Sequence, residues 1–143
     1  MTKITFTNGT TPAVNATNLN QMQTNIENAI NALNPVVLYN NTNGTTGTVT
    51  LSETAANFQY LEILYSKGGI YQSVKVYSPN NKKVSLLVGY LNSSSEAQLQ
   101  LAKVTISGTQ ITRDTGGYIN FYENAHYMGT STEVGIHRVL GYR

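Results

Sequence analysis

The segment VSLLVGYLNSSSEAQLQLAKVTISGTQITR, residues 84–113, decides the fold class. Residues 84–91 are an almost unbroken apolar run, the pattern of a strand buried on both faces. Asn92-Ser93-Ser94-Ser95 breaks it. A strict alternation follows, in which Leu99, Leu101 and Lys103 oppose Gln98, Gln100 and Ala102. This period of two belongs to a strand with two unlike faces. Val104, Thr105 and Ile106 continue that strand. Ser107-Gly108-Thr109 then turns the chain into a further strand at Gln110, Ile111, Thr112 and Arg113. The segment therefore reads as three strands separated by turn signals, without fixing how they pair.

The same grammar extends in both directions. Thr48, Val49, Thr50 and Leu51 alternate. Phe58, Tyr60, Glu62 and Leu64 share one parity, and Leu61, Ile63 and Tyr65 the other. Lys67-Gly68-Gly69 is a hairpin signal. In the strand after it Val74 and Val76 face one way, and Tyr71, Ser73, Lys75 and Tyr77 the other. Ser78-Pro79-Asn80-Asn81 reads as a turn, with Lys82-Lys83 as its solvated continuation. Gly116-Gly117 reads as another turn, before a short strand over residues 118–122. The chain closes on an apolar strand from Val134 to Tyr142. Seven or eight short strands with regular turns predict a mainly β protein, an antiparallel β-sandwich, jelly-roll-like in the broad sense.

Towards the N-terminus the pattern changes. Residues 40–47 are an Asn/Thr/Gly run that reads as loop or turn, after an apolar stretch at 36–39. From about Asn15 to Leu33 the spacing becomes helical. Leu19, Met22, Ile26, Ala29 and Leu33 are separated by 3, 4, 3 and 4 residues, a heptad seam that Ile30 widens. Asn15 or Asn18 can cap its start, and Asn34-Pro35 ends it. Asn and Thr are mediocre helix formers, so such a helix needs packing to persist. It serves either as a surface helix on its own sheet or as a short parallel bundle, and the narrow seam between uncharged amides favours the bundle. Residues 1–34 are therefore expected to be a polar arm with an oligomerisation helix, and residues 35–143 a β-sandwich head. Within the arm, residues 3–6 suit a short strand and Asn8-Gly9 a turn.

The bulk numbers fit one domain-sized head. The chain has 143 residues, of which 40% are hydrophobic and only 11% charged, against about 25% charged in ordinary globular proteins. Neutral Asn, Thr, Ser, Gln and Gly stand in for the missing charge, as in extracellular β-rich scaffolds. The net charge of +2 is spread over scattered Lys and Arg, too weak for a nucleic-acid footprint. There is no cysteine, so disulfides, thiolate metal sites and thiol nucleophiles are excluded. No run approaches the length of a membrane span, and residues 1–6 lack the apolar run of a signal peptide.

No catalytic constellation emerges. Phosphate-binding loops, the nucleophile elbow and the zincin motif are missing. Glu62 and Glu123 form a conceivable carboxylate pair, though both read better as solvated charges. His126, in an expected loop at 124–127, and His137, in the last strand, read as ordinary hydrogen-bonding residues. No metal or cofactor is expected. The 10 tyrosines without a single Trp carry more information. Most are half-buried strand residues by expectation. The group Tyr118, Asn120, Tyr122, Glu123, His126 and Tyr127 mixes rings with polar groups, as saccharide sites do.

Two segments carry a family resemblance. The opening from Ile4 to Asn20, ITFTNGTTPAVNATNLN, and the helix after it resemble the start of tail, baseplate and receptor-binding proteins of bacteriophages of Gram-positive bacteria. The closing Ile136-His137-Arg138-Val139-Leu140-Gly141-Tyr142-Arg143, with Ile106 to Thr112 before it, is similar to the last strands of phage fibre and baseplate β-domains. Leu140 and Arg143 stand where Ile and Lys are more usual there. The resemblance brackets the chain, and the middle matches by pattern alone. It implies a homotrimeric virion component with a β-sandwich head, and the function expected of the chain is that of a non-enzymatic tail or baseplate appendage that attaches to the bacterial surface through wall saccharide. The alternative is a head fibre or baseplate joint that binds other virion proteins. Nucleic acid and membrane are not expected partners.

Overall fold

A computed structural model describes residues 16–93, 96–122 and 125–143 of the protein. The expected arm at 1–14, with its short strand and turn, Asn15, and the candidate site residue Glu123 lie outside them, as do Ser94, Ser95 and Asn124. The chain divides between Asn34 and Pro35 into two compact units.

In the first unit, helix α1 spans Ala16–Leu33. Amide pairs one turn apart brace it: Gln21 Nε2 donates to Asn25 Oδ1 at 3.1 Å and Gln23 Nε2 to Glu27 Oε1 at 2.9 Å. Such pairs contribute only about 0.2–0.5 kcal/mol each. Asn34 closes the last turn by donating to the Asn31 carbonyl at 3.3 Å, and Pro35 then blocks continuation. Leu19, Met22, Ile26, Ile30 and Leu33 are all exposed, and so is Ala29.

The second unit is built from two antiparallel sheets. One has the order β1 (Val36–Thr45), β9 (Gly135–Tyr142), β3 (Tyr60–Lys67), β4 (Ile70–Tyr77). The other runs β2 (Val49–Thr50), β7 (Gln110–Phe121), β6 (Glu96–Ser107), β5 (Lys82–Ser93), and β8 (His126–Thr130) also pairs with β7. Most neighbours are consecutive in sequence, so tight turns set the register. Gly68 and Gly69 have φ of +60° and +80° and join Lys67 to Ile70, a two-residue hairpin loop whose positive φ values glycine adopts at no steric cost. The last strand returns to lie between β1 and β3.

Inward-facing residues of both sheets share one core. Leu61 and Ile63 of β3 and Val139 of β9 meet Leu86 and Val88 of β5 and Ala102, Val104 and Ile106 of β6. Leu51, Ala55 and Phe58 belong to the same cluster. The Tyr65 hydroxyl crosses between sheets, donating to the Leu87 carbonyl at 3.3 Å. The unit is a mainly β, sandwich-like head.

Several local expectations are corrected. The Asn/Thr/Gly run at 40–47 is not a free loop: β1 continues through it to Thr45 beside β9, with an irregular register between Asn40 and Thr45. Gly44 takes a φ of +75° there, and Asn41 donates to Thr45 Oγ1 at 3.1 Å. Side-chain hydrogen bonds and β9 satisfy a backbone that composition assigns to solvent. Lys82 and Lys83 open β5 opposite Ile106 and Thr105 instead of prolonging a turn. Gly116 and Gly117 lie within β7, not in a turn. A Cβ at Gly116 would overlap the Ser131 carbonyl oxygen, and one at Gly117 would stand 3.0 Å from that of Gly129. Close approach of the next strand, not turn geometry, requires glycine at these two positions. His126 lies in a strand because β8 zips onto β7. Residues 84–91 are covered on one face only: Leu86 and Val88 are buried, whereas Leu87 and Leu91 are exposed.

Candidate functional site

The meander of residues 82–130 ends in a patch that carries most of the expected binding residues. Cross-strand partners share a face of the sheet, and the register pairs Tyr90 with Gln98, Gln98 with Asn120, and Asn120 with Tyr127. One residue row inward, Gln100 pairs with Tyr118. Tyr118, Asn120, Tyr122 and Tyr127 therefore lie on one face, together with Tyr90, Gln98 and Gln100. His126 does not join them. It pairs with Phe121 and lies on the opposite face. The face belongs to the core side of the sheet, at the level where the β3–β4 hairpin ends: a Cβ on Gly68 would touch the Tyr90 ring at 3.7 Å.

Beneath the rings runs a directed hydrogen-bond chain. The Tyr90 hydroxyl donates to Gln98 Oε1, and Gln100 Nε2 donates to the same oxygen at 2.7 Å. Gln98 Nε2 donates to Asn120 Oδ1, and Asn120 Nδ2 donates to the Tyr122 hydroxyl at 3.4 Å. Gln98 and Gln100 are buried, while Tyr122 and Tyr127 are exposed. The chain thus leads from the core to the surface and fixes Asn120 from below, the kind of support that preorganises a polar site. Tyr122 is placed by its own backbone, whose N–H donates to the Ala125 carbonyl at 2.8 Å. The Tyr118 and Tyr127 rings sit 6.0 Å apart, tilted by 46°. A Cβ at Gly129 would lie 2.6 Å from the Tyr118 ring, so the ring rests over bare backbone. Burial, then the neighbouring Tyr127, raises the Tyr118 hydroxyl above the ordinary phenol range, and it is a neutral donor near pH 7. Chemically the described residues of the patch offer exposed ring faces flanked by hydroxyls and a fixed amide.

Tyr90, Gln98 and Gln100 were not among the expected site residues. Their signal was parity: Gln98 and Gln100 are in phase with Ala102, Val104 and Ile106, while Leu99 and Leu101 are in phase with Lys103.

The other polar residues have local roles. His137 Nδ1 lies 3.1 Å from the Thr42 carbonyl oxygen and its Nε2 lies 2.7 Å from Ser66 Oγ. A carbonyl only accepts, so Nδ1 carries the proton, and in the neutral ring Nε2 accepts from Ser66. This spacing resembles a nucleophile–base pair, but Gly44 roofs the imidazole so closely that a Cβ there would fall 2.8 Å from Nε2. The pair pins β1 to β3 and β9. Glu62 accepts from the Tyr142 hydroxyl at 3.2 Å. Arg113 Nε donates to the Thr46 carbonyl at 2.6 Å and its Nη2 to that of Val134; burial lowers its pKa. Among the described residues no cluster of three or more His, Asp or Glu could hold a metal, and no helix is long and apolar enough to cross a membrane.

No protein-family model, curated protein or solved structure matches the chain.

Proposed function

We propose that the protein is a non-enzymatic bacteriophage virion component, of the tail or baseplate, that attaches the particle to saccharide of the bacterial wall. The observation that carries this reading is the Tyr118, Asn120, Tyr122 and Tyr127 face, braced from below by Gln98. A sugar presents apolar C–H faces, which suit tyrosine rings, and hydroxyls, which suit amides and phenols. With no Trp in the chain, stacking falls to tyrosine. In this reading the two sheets form a jelly-roll-like head, and three copies of α1 pack their exposed Leu19, Met22, Ile26, Ala29 and Leu33 seams into a parallel bundle. Trimerisation turns weak single-site contacts into firm attachment.

The test is retention of the full-length chain on purified Gram-positive cell walls, before and after extraction of their wall polysaccharide. Retention lost on extraction, and reduced about tenfold by Tyr127→Ala or Asn120→Ala, is the expected result. Full retention by both variants would reject the site. A second reading, a head fibre or baseplate joint, is favoured by the apolar outer face of the same sheet, which suits a protein and no sugar. It predicts no wall retention and capture of another virion protein instead.

A further inference from the structure

The hydrogen-bond chain beneath the tyrosine face has a direction, and that direction bears on what the face can hold. Gln98 Oε1 accepts twice, from the Tyr90 hydroxyl and from Gln100 Nε2. Its amide nitrogen donates onward to Asn120 Oδ1. Asn120 Nδ2 donates in turn to the Tyr122 hydroxyl. Each link runs outward from the core. The surface end therefore keeps the spare protons, one on the Asn120 amide and one on the Tyr122 hydroxyl. The Tyr118 hydroxyl likewise gives its proton to Tyr127, which leaves the Tyr127 proton for a ligand.

Turning over the amides of Gln98, Gln100 and Asn120 would reverse the chain, with Tyr122 donating inward. Gln100 decides against that arrangement. It is 1% exposed, and among the described residues its Oε1 has no hydrogen-bond partner. An under-used carbonyl oxygen is a tolerable buried group. Reversal would put the Gln100 nitrogen and its two protons there, and a buried unmet N–H costs more.

An end that presents donors calls for an acceptor on the ligand. An amide carbonyl oxygen, which only accepts, matches it better than a sugar hydroxyl, which must also place a proton of its own. A carboxylate has similar oxygens, but its charge would go unbalanced. Glu133, which acts electrostatically on Tyr118, is already paired with Lys67 at 2.9 Å, and the described members of the face are all neutral.

We infer that the face selects saccharide bearing an acetamido group. The acetamido carbonyl accepts from Asn120 and Tyr122, and its methyl group packs on the tilted Tyr118 and Tyr127 rings. The inference rests on the saccharide reading above and narrows it to N-acetylated amino sugar.

The test is a proton–nitrogen NMR titration of the full-length chain with N-acetylglucosamine, N-acetylgalactosamine, glucose, galactose and glucuronate. At least one acetamido sugar should shift the Asn120 side-chain amide. It should bind about tenfold or more tightly than the hexose of the same stereochemistry, the worth of one well-made hydrogen bond. Asn120→Asp keeps the shape and an acceptor for Gln98 but obliges Tyr122 to donate inward. It should erase the acetamido preference while circular dichroism shows the native fold. Tyr122→Phe, at an exposed position, should reduce the preference as well. Equal affinity for an acetamido sugar and its hexose overturns the inference and leaves the saccharide face standing. Tighter binding of glucuronate overturns it in favour of an anionic ligand. A preference that survives both Asn120→Asp and Tyr122→Phe lies elsewhere on the molecule and overturns it too. Binding of none of the probes also overturns it, and retention on intact walls, reduced by Tyr127→Ala, would then show that the broader saccharide reading survives.

Discussion

At Gly116 a methyl group would overlap the carbonyl oxygen of Ser131 and come within 3.1 Å of that of Leu101. Both obstacles are backbone, held by the Ser131 N–H that donates to the Gly116 carbonyl at 3.2 Å, so neither yields cheaply. Gly116→Ala should therefore lower the free energy of unfolding by about 2 kcal/mol or more. Gly47→Ala, which meets nothing within 4 Å, should stay within about 0.5 kcal/mol of the native chain. Urea denaturation of the two variants measures the contrast. The sequence shows Gly68-Gly69 and Gly116-Gly117 as identical dipeptides. Only the first is a turn, because the crowding at the second comes from a strand that follows it in the chain. A second residue-scale effect concerns pH. Tyr118 and Tyr142 have raised pKa values, in both cases chiefly through burial, with Tyr127 and Glu62 as the respective neighbours. The folded state thus holds these protons more tightly than the unfolded one. Their contribution is complete below the unfolded phenol pKa of about 10 and is lost as pH rises through the folded values. Thermal melts should show stability falling with alkaline pH, and a shallower fall in the Tyr118→Phe, Tyr142→Phe double variant.

At the scale of elements, β6 and α1 both carry apolar side chains on an exposed face. In β6 the glutamines face inward and Leu101 outward. The phase was legible: Lys103 has no place in a core, and Val104 and Ile106 continue the glutamine parity. What sequence did not reveal is how two buried amides are satisfied, because their partners, Tyr90 and Asn120, come from β5 and β7 and become visible only with the register. Gln98→Leu tests this. It adds apolar character to a buried position, yet it strands the Tyr90 hydroxyl, the Gln100 amide and Asn120. The expected outcome is a loss of about 1–3 kcal/mol in chemical denaturation, together with weaker wall retention, since Asn120 loses its support. In α1 the apolar stripe was legible from spacing alone, and its side chains stand exposed. A helix of 18 residues braced by amide pairs has little stability by itself. If the seams associate, Ile26→Asp brings like charges together at the axis, and light scattering should show a mass below that of the native chain with helical signal lost in parallel. Native mass and helicity in that variant would remove the bundle.

For the whole molecule, the division between Asn34 and Pro35 makes the head separable in principle, since residues of both sheets between Leu38 and Val139 supply its core. That permits a test of multivalency apart from intrinsic affinity. Each head offers a few tyrosine faces and one fixed amide, a set of contacts suited to weak saccharide binding. If copies are joined through α1 as proposed, they would face a repeating wall polymer at high effective concentration, and apparent affinity would gain about 10²–10⁴-fold without any new contact. A chain starting at Pro35 should bind a short, monovalent fragment of the polysaccharide as well as the full chain does, but dissociate from intact walls faster by roughly that factor. Surface plasmon resonance on immobilised walls compares the two. Ionic strength supplies the control: with a net charge of +2 and only 11% charged residues, neither chain has much electrostatic attraction to screen, so salt should leave both rates nearly unchanged. Equal dissociation of the two chains from walls would mean that the heads act singly and that α1 serves assembly alone. Strong salt dependence would mean that anionic wall polymer is held by scattered lysines, not by the tyrosine face.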